Sequence, residues 1–111
     1  MELNKETLKG HIDTLILSIL NEKECYGYEI GKNVRNKSND SFELKEGTMY
    51  LALKRLETKS LIESYWGEEQ GAGGRRKYYK LTKEGVDTLT IKKKEWSILK
   101  NIMNLFLGED N

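Results

Sequence analysis

Residues 62–82 read Ile62-Glu63-Ser64-Tyr65-Trp66-Gly67-Glu68-Glu69-Gln70-Gly71-Ala72-Gly73-Gly74-Arg75-Arg76-Lys77-Tyr78-Tyr79-Lys80-Leu81-Thr82. Two short runs of strand-forming residues, 62–66 and 77–81, flank a glycine-rich tip, Gly71-Ala72-Gly73-Gly74. This is the pattern of a hairpin. Glycines at the tip allow positive φ and close approach of the backbone to another surface. Strand alternation should turn one of Tyr78 and Tyr79 inward and the other outward. Arg75, Arg76 and Lys77 put positive charge where the tip re-enters the second strand.

Whole-chain charge is uninformative, at +1 over 111 residues. Its distribution is not. From Gln70 to Lys83 there are five cations (Arg75, Arg76, Lys77, Lys80, Lys83) and no acid. Acids gather elsewhere, at Glu22, Glu24 and Glu29, at Glu63, Glu68 and Glu69, and at Glu109 and Asp110. A local patch of this kind can meet phosphate although the total is near neutral. Its plainer reading is a charged turn that keeps a surface wet.

The length fits one domain with a modest core, which a partner subunit would help to stabilise. No apolar run is long enough to span a membrane, and no signal-peptide pattern occurs, so a cytoplasmic location is expected. The single cysteine, Cys25, excludes an internal disulfide and a thiolate zinc cluster.

Helical periodicity accounts for the rest. Asn4 can cap a first helix over about Lys5–Leu20, with Leu8, Ile12, Leu15, Ile16 and Ile19 on one face. A second helix is expected over about Tyr26–Lys37, with a Tyr26, Ile30, Val34 seam. Gly27 and Gly31 weaken it by roughly 1 kcal/mol each, which close helix packing would offset. A polar loop follows, from which Leu44 or Phe42 can plug the core. The third helix, about Gly47–Lys59, buries Met49, Ala52, Leu53 and Leu56. Its other face shows Gly47, Leu51, Lys54, Arg55 and Thr58, with Tyr50 on the flank. Cations there can take phosphate or guanine, and an apolar side chain can meet a thymine methyl. An ordinary amphipathic surface helix has the same pattern. Thr82 can cap a last helix over about Lys83–Leu107, with Glu84 favourable in its first turn. There Leu89, Lys92, Trp96, Leu99, Met103 and Phe106 recur at alternating spacings of three and four, beside a second stripe of Ile91, Ile98, Ile102 and Leu105. Little domain remains to cover so wide a face, so another subunit is its expected cover.

The expected fold is mainly α with a small β-hairpin: a winged helix-turn-helix DNA-binding domain over residues 1–82 and a C-terminal dimerisation helix over 83–111. This order of elements resembles the PadR family of bacterial transcriptional regulators. The resemblance rests on Tyr26-Gly27-Tyr28-Glu29-Ile30 at the opening of the second helix, and on Gly47-Thr48-Met49-Tyr50-Leu51-Ala52-Leu53-Lys54-Arg55-Leu56-Glu57 in the third. It rests also on Gly74-Arg75-Arg76-Lys77-Tyr78-Tyr79-Lys80-Leu81-Thr82, followed by Gly85, at the wing. One departure is Leu51, where the family usually has proline. The single C-terminal helix resembles the compact branch of the family. Within it, Ser64-Tyr65-Trp66-Gly67 and Trp96 are similar to lactococcal-type multidrug-binding repressors.

The resemblance implies a homodimer that binds a pseudo-palindromic double-stranded DNA operator, with half-sites roughly 10 bp apart. Tyr26, Gly47, Thr48, Tyr50, Leu51, Lys54, Arg55, Gly73, Gly74, Arg75, Arg76 and Lys77 are the expected DNA contacts. Tyr26 reads equally well as a core tyrosine. Leu8, Leu89, Trp96, Leu99, Met103 and Phe106 are the expected dimer contacts. The resemblance also implies a planar aromatic effector at Trp96; Lys92 and Lys100, one helical turn either side, depart from the similar repressors and favour an anionic or phenolic compound, with His11 and Thr14 as further candidate contacts. The alternative for Trp96 is simple packing in the dimer core. A winged helix that binds protein instead of DNA is the competing class, and the cationic hairpin argues against it. No paired-carboxylate, Ser-His-Asp or metal-ligand set can be assembled, so neither an enzyme nor a cofactor is expected. Cys25 stands at a helix N-terminus, which could lower its pKa and make it a redox sensor, although a lone cysteine is more often inert.

Overall fold

In a computed structural model, residues 4–8, 10–69, 71 and 73–108 are described. Gln70 and Ala72 of the hairpin tip, and Glu109 and Asp110, lie outside them. The elements are α1 (Lys5–Leu8), α2 (Ile12–Glu22), β1 (Cys25–Tyr26), α3 (Gly27–Lys37), α4 (Glu46–Thr58), β2 (Ile62–Trp66), β3 (Lys77–Leu81) and α5 (Lys83–Leu107). Four helices, the first a single short turn, are thus followed by a hairpin and a long helix, the order of a winged helix.

Two expectations need correction. The first helix is broken into α1 and α2, because Gly10 takes φ +88°. Asn4 does cap the first piece, its side-chain oxygen accepting from the Glu6 amide at 2.7 Å. The sheet has three strands, not two. Cys25 and Tyr26 pair antiparallel with Tyr79 and Tyr78, giving the order β1-β3-β2. A two-residue strand carries no periodicity, and its partner is some fifty positions away, so local pattern could not disclose it.

The core gathers Ile16, Leu17, Ile19 and Leu20 of α2, Ile30 and Val34 of α3, and Met49, Ala52, Leu53 and Leu56 of α4. Cys25, Leu44, Ile62, Tyr79 and Leu89 complete it. Leu44 is the residue that plugs it from the loop, with Phe42 packed partly buried beside it. Tyr79 points inward and Tyr78 is only half-buried, as alternation requires.

The hairpin is aimed by a sharp exit from α4. The Ser60 amide bonds to Glu57 O and the Leu61 amide to Leu56 O, with Ser60 at φ +61°. This is a Schellman stop, here with serine where glycine is usual. Thr82 then ties the return strand to that stop. Its amide donates to Leu61 O (3.1 Å) and its hydroxyl to Ser60 O (2.7 Å). The same hydroxyl accepts from the Gly85 amide at 3.0 Å, capping α5. Leu89, expected at a dimer seam, is 3% exposed and belongs to the domain's own core. The apolar face beyond it is exposed: Trp96, Ile98, Leu99, Ile102, Met103, Leu105 and Phe106 are all at least 43% accessible.

Candidate nucleic-acid interface

One helix face, one helix start and one strand converge. On α4, Gly47, Thr48, Tyr50, Leu51, Lys54 and Arg55 are exposed, while Met49, Ala52, Leu53 and Leu56 are buried. Leu51 is 66% exposed, far beyond what a core leucine would show. Arg55 stands apart from the others. Its Nη2 lies 2.6 Å from Asp13 Oδ1 of α2, so its guanidinium fastens the helix to its own domain. Lys54 is the exposed cation on the free face.

Tyr26 caps α3 with extended backbone, and its amide donates to Glu29 Oε1 at 3.3 Å. Its ring is the meeting point of the site. The Arg76 guanidinium lies 4.7 Å above its centroid. Tyr28 stacks on it at 6.4 Å, and Tyr78 meets it edge-on at 5.5 Å. Gly27 follows directly. A Cβ there would collide with the Tyr50 hydroxyl and stand 2.9 Å from Tyr50 Cζ, so this glycine lets Tyr50 lie against the start of α3. Gly31, expected to serve the same purpose, has nothing within 4 Å of a Cβ. Close packing explains the first glycine and not the second.

Tyr26, Gly27, Tyr28, Tyr50, Arg76, Lys77 and Tyr79 consequently line one open cleft between α3, α4 and the hairpin. Gly74 takes φ +69° and its amide bonds to Gly71 O, closing the tip; Gly73, Gly74, Arg75 and Arg76 are all exposed there. Sequence reasoning passed over Tyr28, Lys32 and Arg35. They line the adjoining groove between α3 and α4, beside Glu43 and Glu46. Their i, i+4, i+7 spacing puts them on one exposed face of α3, opposite its apolar seam.

Elsewhere the structure joins His11 to Trp96. The rings meet edge to face, with centroids 6.2 Å apart and planes at 82°. Trp96 is 55% exposed, Lys100 is exposed, and Lys92 and Thr14 are half-buried. Cys25 is buried. Burial, and then the charge of Glu29, push its thiol pKa up, opposite to the expected lowering. Its thiol donates to Lys23 O at 3.2 Å, and its sulfur accepts from Asn33 Nδ2 at 3.8 Å. Among the described residues no His, Cys, Asp or Glu group could hold a metal ion, and no helix is long and apolar enough to cross a membrane.

This arrangement recurs in known proteins. The chain is 42% identical to a protein of Lysinibacillus sphaericus over 105 residues, 95% of each. A PadR family transcription regulator of hypervirulent Clostridium difficile is 64% identical, with a TM-score of 0.80 over 89% of this chain and 100% of that one. A transcriptional regulator of Clostridium thermocellum is 42% identical, with a TM-score of 0.86 over 95% of this chain and 98% of that one. The pattern of the transcriptional regulator PadR-like family matches residues 16–91, from the core of α2 through the wing into α5. The exposed α4 face, the cationic hairpin and these likenesses together place the chain in the PadR-like family of DNA-binding transcriptional regulators, winged-helix proteins and not enzymes.

Proposed function

We propose that the chain acts in the cytoplasm as a homodimeric repressor. In this reading residues 1–82 hold a pseudo-palindromic operator and residues 83–111 join two copies, with the first turns of α5 also serving the domain core. The observation that carries it is the cleft in which Tyr50 of α4, Tyr26 of α3 and Arg76 of the hairpin meet. Gly47, Thr48, Tyr50, Leu51 and Lys54 would face a major groove. Gly73, Gly74, Arg75 and Arg76 would lie along the backbone or in the minor groove, where the negative potential favours arginine. Arg55 remains exposed beside this face while paired with Asp13.

Several phosphate contacts per protomer make operator affinity fall about tenfold or more between roughly 50 and 200 mM salt. Arg75→Ala with Arg76→Ala should weaken binding to every sequence and flatten that salt slope. Gel-shift or anisotropy titrations over a salt series read both. A double variant that binds operator and random duplex like the wild type removes the wing from the interface.

Repression would be relieved by a planar aromatic or phenolic compound seated at Trp96. The exposed indole, the His11 ring at its edge and the flanking Lys92 and Lys100 support this reading. Titrating aromatic acids and cationic dyes should quench tryptophan fluorescence, the acids at lower concentration. Trp66→Phe should keep the response and Trp96→Ala should abolish it. Quenching that survives Trp96→Ala, or none in either protein, would leave Trp96 a packing residue.

A further inference from the structure

Glu69 is an acid beside Arg76, on the wing that would meet phosphate. By charge alone it should repel DNA. Its geometry points to another role. The Gly67 amide donates to Arg76 O at 2.7 Å, extending the ladder past β2. The Arg76 amide donates to Glu69 Oε1 at 3.4 Å, and the Tyr78 hydroxyl donates to Glu69 Oε2. One carboxylate from the outgoing arm thus holds two alternate residues of the returning arm. It lies directly over Gly67. A Cβ there would collide with the carboxylate and stand 2.6 Å from the Tyr78 ring, so only glycine leaves room for this clasp.

The residues held by the clasp are those that join the wing to the rest of the interface. Tyr78 is stacked on Tyr65 (5.5 Å, 14°) and meets Tyr26 edge-on. Tyr65 is anchored in turn, its hydroxyl donating to Glu24 at 2.5 Å. Arg76, whose amide reaches Glu69, carries its guanidinium onto Tyr26. We propose that Glu69 is a positioning residue for DNA binding: by clasping Arg76 and Tyr78 it orders the wing before contact, so that Arg76 meets the backbone from its seat on Tyr26. This rests on the wing reading above. The Tyr78 hydrogen bond lowers the Glu69 pKa, and Glu69 raises that of Tyr78, so the clasp is made of a carboxylate and a neutral phenol at neutral pH. Pre-ordering matters because a loop that must be fixed on binding loses conformational freedom at that moment.

The two views of Glu69 predict opposite signs. If it only repels phosphate, Glu69→Ala tightens operator binding. If it positions the wing, Glu69→Ala weakens binding about three- to tenfold, as loss of a charge-assisted hydrogen bond would. Tyr78→Phe, which leaves net charge unchanged, should weaken it in the same direction. A double-mutant cycle adds a readout that general loss of stability would not move: in an Arg76→Ala background, Glu69→Ala should have little further effect. The inference is overturned if Glu69→Ala binds as tightly as the wild type or tighter, or if it costs the same factor with and without Arg76. Failure of the wing reading is distinguishable, because then Arg76→Ala itself leaves affinity unchanged.

Discussion

Replacing Gly85 with alanine is expected to destabilise the protein by about 2 kcal/mol, whereas Gly31→Ala is expected to stabilise it by about 0.5–1 kcal/mol. Both glycines lie inside helices, so intrinsic propensity favours alanine at each by about 1 kcal/mol. Space decides the sign. At Gly31 an added Cβ meets nothing within 4 Å. At Gly85 it collides with the Leu61 carbonyl oxygen, stands 3.1 Å from that carbonyl carbon and 3.2 Å from Leu81 Cδ2. A backbone oxygen cannot turn away as a side chain can. The start of α5 must move, and it is held there by Thr82 through Ser60 O, Leu61 O and the Gly85 amide. Overpacking costs of ~1–3 kcal/mol or more therefore outweigh the propensity gain. For a domain of this size, the loss at Gly85 corresponds to a fall in melting temperature of about 10 °C. Thermal unfolding followed by circular dichroism measures both variants. A Gly85→Ala protein that melts at or above the wild-type temperature would mean that α5 is not seated on the α4 exit.

These two glycines also mark how far sequence could be read. The cap at Thr82 and the stripe from Leu89 onward gave α5 its bounds at Lys83 and Leu107, because both signals are local and strong. The buried face of α4 was legible for the same reason. At Gly10 the apolar stripe runs on in helical register across a break, so periodicity alone joined α1 to α2. Whether a helical glycine marks close packing depends on what lies opposite, as Gly27 against Tyr50 and the empty space at Gly31 show. Glu69 read as one of several solvated acids. Its partners sit seven and nine positions away across an irregular tip, a distance that neither strand nor helix period connects. The same holds for Arg55: helical position groups it with the groove-facing cations, while its ion-pair partner Asp13 lies 42 residues upstream.

The largest functional effect is expected from α5. Leu99→Glu combined with Met103→Glu should yield a folded monomer whose operator affinity is lower by about a hundredfold or more. Neither residue belongs to the domain core, and both are more than 40% exposed, so the winged helix should melt almost as before. At a two-fold seam, of the kind proposed above, the same patch serves both copies. Two glutamates per protomer would then place four carboxylates in an apolar interface, where desolvation and mutual repulsion both oppose association. Operator affinity should fall because binding of the second half-site ceases to be intramolecular; linkage of two modules commonly contributes a factor of 10²–10⁴. Binding of each separate domain to random duplex should change far less, since α4 and the wing are untouched. Sedimentation velocity reads the assembly state, and anisotropy on operator and random duplex reads the ratio. A variant that stays dimeric, with operator affinity intact, would move the subunit contact away from this face of α5, and with it the placement of Trp96 beside a second copy.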